Sequence, residues 1–326
     1  MIYKCQSCGG NVVYDPGLRK MHCPYCDGIG THLREECRGM EVCQNCGAPV
    51  DAGDYRSAVK CEYCGHYNIF EERIEKEYQP RFILPFRLGK KDAVEKIMKK
   101  CGSRLFMPET FLSEASLEKM EGSYVPFWLY DMTADCRYNG TGTKKRVWVS
   151  GDTEYTETSY YQVIREMEAD FEKLPVDASI AMNDKIMDLM EPYQYEELTD
   201  FNPEYMSGFL AEVYNQPAEE LGDRANEKVR ADAKVMLHRT MNEYATLTPL
   251  EGNIYLKNRV EDYALLPVWW YRYRYRDKDY DFFVNGQTGK VVGKMPLSGL
   301  RALAYSGTFF ACVTTILMLI RAILER

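Results

Sequence analysis

Positive charge is in short supply in this chain: 41 Lys and Arg stand against 49 Asp and Glu, a formal −8 over 326 residues. That deficit argues against a general nucleic-acid binder, because non-specific affinity for phosphates comes from cations that displace counterions. The N-terminus, MIYKCQSCGG, has no apolar run, so nothing in it is expected to direct the bulk of the chain out of the cell. No GxxxxGK[ST] phosphate loop is present, and no nucleophile can be matched to a base. The chain is therefore read as non-enzymatic. Long apolar runs are missing as well, with one exception.

That exception is Ala302 to Ile320, nineteen residues without a charge, closed by Arg301 and Arg321. As a helix it is about 28 Å long, close to the hydrocarbon thickness of a bilayer. Only residues 321–326 follow, so the reading is a single-pass tail anchor in the cell membrane with the bulk of the chain in the cytoplasm. Ser306, Thr308, Thr314 and Thr315 dilute the apolarity, and the alternative is a helix docked on a globular core or an oligomer interface. In a membrane helix such hydroxyls bond back to carbonyls of the preceding turn. Gly307, Ala311 and Thr315 form a small-residue stripe that would suit a homo-oligomer.

Cysteine is abundant, at twelve residues. Cys5, Cys8, Cys23 and Cys26 follow C-x2-C-x14-C-x2-C, and Cys43, Cys46, Cys61 and Cys64 repeat the pattern 38 positions later. Two residues between cysteines let both sulfurs of a knuckle face one ion, and the hairpin between knuckles brings the second pair across. Gly9, Gly47 and Gly65 directly follow a ligand, where the chain turns sharply. A rubredoxin-type iron centre, a disulfide scaffold and a redox pair share parts of this spacing. The duplication and the absence of a βαβ context favour Zn2+, two structural ions with no coordination position open to water. His22, His32 and His66 are then surplus, Cys37 is an unliganded thiol, and Cys101, Cys136 and Cys312 are packed. Residues 1–75 hold eight basic against eleven acidic side chains, and each ion with four thiolates adds −2, so the ribbons suit protein docking better than phosphate.

A charged connector, FEERIEKEYQ (70–79), ends at Pro80. FILPFRL (82–88) then reads as a buried strand, and KKDAVEKIMKKC as a helix with Ala93, Val94, Ile97 and Met98 on one face, stopped by Gly102. Residues 124–138, RVWVSG and TSYYQVIREMEADF read as separate strands, and short acidic helices are expected at 183–190 and 195–199. The clearest helix runs from Pro217 to about Tyr244, capped by Asn215 or Gln216, with Leu221, Ala225, Val229, Met236 and Met241 as its stripe. Strands return at 252–258 and 265–293, where PVWWY (267–271) echoes PFWLY (126–130). Tyr271, Tyr273 and Tyr275 alternate with Arg272, Arg274 and Arg276. With a turn at Asp277 and Lys278, Arg276 would face Asp279 and Arg274 would face Asp281, neutralising the guanidinium ladder. NGQTGK (285–290) reads as a hairpin turn rather than a phosphate loop.

FILPFRLGKKDAVEKIMKKC, YVPFWLYD, FNPEYMSGFLAEVY and LLPVWWYRYRYRDKDYDFFVNGQTGKVVGKMPLS together resemble a bacterial family of zinc-ribbon membrane proteins. Its members carry names such as TFIIB-type zinc ribbon-containing protein, or a helicase label borrowed from primosomal protein N′. The resemblance implies a neighbourhood of SPFH (flotillin-like) or phage-shock-like proteins, in membrane stress or membrane organisation, and it offers no catalytic residue. The expected architecture is α+β: zinc ribbons at 1–34 and 39–70, a linker at 71–80, an antiparallel-sheet domain with one long helix at 81–299, and a transmembrane helix at 300–326. The expected function is a scaffold that recruits proteins to the membrane; the alternative is a nucleic-acid-binding zinc-ribbon protein.

Overall fold

The computed structural model describes residues 1–35, 42–75, 78–101, 107–108, 111 and 119–324. Cys37 and Gly102 lie outside the described residues. Residues 1–35 form β1 (Ile2–Cys5), β2 (Val13–Asp15), β3 (Lys20–His22) and β4 (His32–Glu35), with β1 paired to β4 and β2 to β3. β5 (Arg56–Lys60) and β6 (Tyr67–Ile69) follow, and the connector contributes one 3-10 turn, Glu71–Arg73. After β7 (Phe82–Ile83), α1 (Lys90–Cys101) buries Ala93, Ile97 and Cys101. This i, i+4, i+8 row leaves Met98, expected on the same face, exposed.

One strand dominates. β8 (Glu121–Ser150) runs for 30 residues, turns at Gly151 and Asp152, and returns as β9 (Thr153–Asp177). The expected strands over 124–138 and RVWVSG are thus one element. Gly140 and Gly142 interrupt its pattern without breaking it, because they let other chain approach: a Cβ at Gly142 would lie 2.7 Å from the Tyr244 ring, and one at Gly140 would lie 2.5 Å from the Thr248 carbonyl oxygen. Then come α2 (Asp184–Met190), a 3-10 turn at Tyr195–Glu197, β10 (Thr199–Asp200), β11 (Leu210–Glu212) and the long helix α3 (Ala218–Arg239).

The cap of α3 differs from expectation. Pro217 is the cap residue and makes no side-chain cap bond; Asn215 Oδ1 accepts from the Ile180 amide, and the Gln216 carbonyl accepts from Trp128 Nε1. The buried stripe continues from Val229 through Ala233 and Leu237, while Met236 points outward and Met241 is buried beyond the helix end.

β12 (Thr246–Thr248), β13 (Asn253–Tyr275), β14 (Lys278–Asn285), β15 (Val291–Gly293) and α4 (Gly299–Leu324) complete the chain. The main sheet has the order β10-β7-β13-β8-β11-β5-β6, with β9 and β12 also on β8, β14 on β13, and β15 on β14. Most pairings are antiparallel, and the fold class is α+β. The echoing segments 126–130 and 267–271 lie on the adjacent antiparallel strands β8 and β13 but are offset, so that 126–130 face 261–265 and 267–270 face 121–124.

The β13–β14 register corrects the expected Tyr-Arg hairpin by one pair. Arg276 and Asp277 form the turn, both at positive φ, so Arg274 faces Asp279 and Arg272 faces Asp281. Neutralisation survives: Arg272 Nε lies 2.7 Å from Asp281 Oδ1. NGQTGK is a turn in which Asn285 Oδ1 accepts from the amides of Gln287 and Thr288.

Successive β8 side chains alternate between two cores. On one face Tyr130, Met132, Ala134, Cys136 and Tyr138 meet α3; on the other Val125, Phe127 and Leu129 meet α2. A third core joins Tyr3, Val12 and Tyr14 to Ile83, Phe86, Ile97 and Tyr124. This corrects the reading of the ribbons as separate units beyond a linker. β5 pairs with β11, placing Ala58 opposite Ala211, and the Tyr14 amide donates to the Ser207 carbonyl. Strands of three to five residues cannot bury both faces alone, so they complete a larger sheet. Ala58→Glu, which buries a charge between β6 and β11, should destabilise the sheet domain as well as the ribbon, by upward of about 3 kcal/mol. Tryptophan fluorescence during denaturation reads this, since all four tryptophans lie outside residues 1–75; an unchanged transition would restore the separate-unit reading.

Candidate metal centres

Each knuckle is built by the same two backbone hydrogen bonds. Gly9, Asp27, Gly47 and Gly65 amides donate to the carbonyls of Cys5, Cys23, Cys43 and Cys61 at 2.8 to 2.9 Å. In return those cysteine amides donate to Gly10, Gly28, Ala48 and His66 carbonyls. The residue after the second ligand sits at positive φ in all four, +72°, +57°, +75° and +71°. Glycine meets that demand three times, and Asp27, of a type that tolerates the left-handed region, meets it once.

These turns aim eight sulfurs at two points. Sγ–Sγ separations are 3.7 Å for Cys5–Cys26, 3.5 Å for Cys8–Cys23, 3.6 Å for Cys43–Cys64 and 3.8 Å for Cys46–Cys61. Within each set all four atoms lie within 4.8 Å of one another. A disulfide needs about 2.05 Å. A tetrahedron with metal–sulfur bonds of about 2.3 Å has edges of about 3.8 Å, which the spacings match. Cys5, Cys8, Cys23 and Cys26 can therefore hold one metal ion, and Cys43, Cys46, Cys61 and Cys64 another. In each set two cysteines are buried and two exposed, so the ions would sit at the surface.

Residues around the sulfurs tune them differently. The Cys5 thiol is lowered to about 6 by the amides of Cys8 and Ser7, which favour its thiolate. Cys26 receives the Gly28 amide, yet the crowding of Cys8, Cys5 and Cys23 outweighs it and the thiol rises to about 12. Cys46 likewise rises to about 12 despite the Ala48 amide, through burial and its neighbouring sulfurs. Sequence reading missed two second-ribbon contacts: Asn68 Nδ2 donates to Cys43 Sγ at 3.5 Å, and Asn45 Nδ2 to Cys64 Sγ at 3.6 Å. At the equivalent positions the first ribbon has Gly30 and Ser7, so the duplication gave no signal for them.

No histidine joins either cluster among the described residues. His22 lies 3.4 Å from Asp27, His32 lies 3.2 Å from Glu204, and His66 is buried, its pKa pushed down to about 4 by desolvation. Cys101 and Cys136 are buried, whereas Cys312, expected to be packed, is exposed on α4. A cleft of about 970 Å3 runs between the second ribbon and the sheet, past Tyr63, Lys60, Glu121 and Trp270. Among the described residues it holds no ligand cluster of its own, and Cys61 stands at its wall.

Over 333 aligned residues the chain is 33% identical to a Bacillus subtilis (strain 168) protein described as uncharacterized protein YdjG, covering 97% of this chain and 98% of that one. The chain belongs to the YdjG family. The shared length takes in almost the whole architecture, ribbons, sheet and terminal helix together. No family model matches the chain, and no solved structure does.

Metal binding must displace the protons held on thiols such as Cys26 and Cys46, so raising the pH strengthens it and lowering the pH weakens it. Chelator competition between pH 6 and 8 should show affinity falling at least about tenfold per pH unit. A flat profile would mean that these sulfurs are not the ligands.

Proposed function

We propose that the chain is a membrane-anchored, cytosol-facing zinc-ribbon scaffold that recruits other proteins to the membrane. The observation that carries this reading is the last helix. Residues Gly299–Ile323 are long and apolar enough to cross a bilayer, and none of that apolar window is buried against the rest of the chain. A helix docked on its own core would hide its apolar side chains. Here Phe309, Phe310, Leu317 and Met318 are all exposed, which favours lipid around them. The polar groups suit the same setting: Thr308, Thr314 and Thr315 hydroxyls donate to the carbonyls of Ala304, Phe310 and Ala311.

Zinc is the ion proposed for both centres. Four soft thiolates in a closed tetrahedron select Zn2+ and leave no position for a reacting water, so the ions serve structure rather than catalysis. Metal analysis of the purified chain should find two zinc ions per molecule; one ion, or iron, would overturn this assignment.

The ribbons then offer a docking face that retains the fold. Tyr25 and Tyr63 stand at equivalent positions of the duplication, between the second pair of ligands, and are 71% and 73% exposed. Exposed aromatics on rigid knuckles supply contact area at little entropic cost. By the family resemblance the partner is an SPFH-type or phage-shock-type protein. Tyr25→Ala with Tyr63→Ala should keep both metal ions and membrane retention but lose that partner on copurification; an unchanged partner set would remove the ribbons as the docking face. For the anchor, the full chain should resist alkaline carbonate extraction while a chain ending at Ser298 stays soluble. Release of the full chain would show that the helix binds protein.

A further inference from the structure

Beyond the ribbons and the anchor, the far end of the β8–β9 hairpin has no partner among the described residues. α3 is about 33 Å long, which covers about ten strand residues. It begins at Tyr130, whose hydroxyl donates to the Ala218 carbonyl, and its exit is marked by Tyr244 against Gly142. Lys144 closes that cover, ion-paired with Glu243 and seated near the rings of Tyr161 and Tyr244. Every residue from Lys145 to Glu157 is exposed. A two-stranded hairpin bare on both faces is marginal in water.

This arm nevertheless carries an ordered surface on the α3 side. Trp148 and Tyr155 are cross-strand partners whose rings stack at 5.6 Å, and both are more than 40% exposed. One row inward, Arg146 is the cross-strand partner of Glu157, yet neither makes an ion pair with any described residue. Charge is segregated by strand, with Lys145 and Arg146 on β8 and Glu154 and Glu157 on β9.

We infer that the arm docks on the arm of a second copy of this chain, face to face, about a two-fold axis running along the hairpin. Such an axis lays β8 of one copy over β9 of the other without shifting any row. Arg146 then faces Glu157 of the partner subunit, Trp148 faces Tyr155 of the partner subunit, and each contact occurs twice. The direction of the axis fits the anchor. β8 pairs Glu121 with Trp270, and the chain reaches α4 from that end, through β14 and the outward-running β15. The arm therefore leaves the sheet at the end opposite the anchor. A two-fold along the arm keeps both anchors on one side, as two copies in one membrane require, whereas a two-fold across it would send them apart. This inference rests on the anchored reading in that respect. The arm face measures roughly 23 by 10 Å by strand dimensions, well short of the ~800 Å2 per partner of a stable soluble dimer. Pairing therefore depends on the local concentration that a shared membrane supplies.

Charge reversal tests it on the full chain in phosphatidylcholine vesicles, with donor and acceptor dyes at the C-terminus. Wild-type copies should show energy transfer above that of a non-associating anchored control. Arg146→Glu alone and Glu157→Arg alone each set like charges opposite one another, and should weaken association at least about tenfold. Mixing donor-labelled R146E with acceptor-labelled E157R places opposite charges across the axis again and should restore transfer. No transfer for wild type, variants that associate as wild type does, or a mixture that stays apart would each overturn the inference. Carbonate extraction of the same samples separates the two readings: protein retained in vesicles but unpaired refutes the arm contact alone, and protein released refutes the anchor.

Discussion

Buried backbone amides and carbonyls must find partners, and in the main sheet one strand pairs with four others. Glu121–Ser150 pairs with β13 along one edge, with β9 over its outer length along the other, and with β11 and β12 where those partners leave room. Because its side chains alternate strictly, that single strand also sorts the apolar residues into two layers, α3 above and α2 below. The second ribbon, through β5 on β11, and the helices α2 and α3 take their places against the sheet it centres.

The ribbons show how metal and core divide the work. Each set of four sulfurs fixes its own knuckles within a few residues, a local constraint that needs nothing from the sheet. The strands between the knuckles are too short to make a core, and they use the sheet's. Met1, Tyr3, Val12 and Tyr14 are buried among residues that lie some two hundred positions away, such as Met206 and Phe209. A ribbon built this way carries its own cysteine cluster and is also a part of the folded body.

Electrostatics follow the same economy. An acidic chain could be expected to leave free carboxylates inside, yet its buried acids meet cations: Arg224 lies 2.8 Å from the fully buried Asp177 and also reaches Asp188, which Lys228 shares. Burial raises the Asp177 carboxyl to about 6 even so, since desolvation exceeds the help from Arg224. The guanidinium ladder of β13 is spent on Asp281 and Asp279. On the exposed arm Arg146 makes no ion pair with its cross-strand partner Glu157, and its guanidinium lies over the Trp148 ring instead.

The cysteine clusters and the terminal helix were legible in the sequence because each is set by local chemistry: a CxxC pair creates its own turn, and nineteen uncharged residues make a helix long and apolar enough to cross a bilayer. The duplication, the α+β class and the existence of α1, α2 and α3 were legible for similar reasons of periodicity and turn chemistry. Tertiary structure decided the rest. Whether Met236 or Leu237 faces the core depends on where the sheet lies, and whether Asn215 caps α3 depends on Ile180 competing for its side chain. The hairpin turn fell on Arg276 and Asp277 because the register of β13 against β14 is fixed by the buried Trp269–Val284 and Tyr271–Phe282 pairs rather than by the turn residues. Most of all, the joining of β5 to β11 could not be read from either segment, since residues about 150 positions apart share no local signal; only the shortage of apolar cover on each small ribbon makes that pairing favourable, and that shortage is a property of the assembled surface.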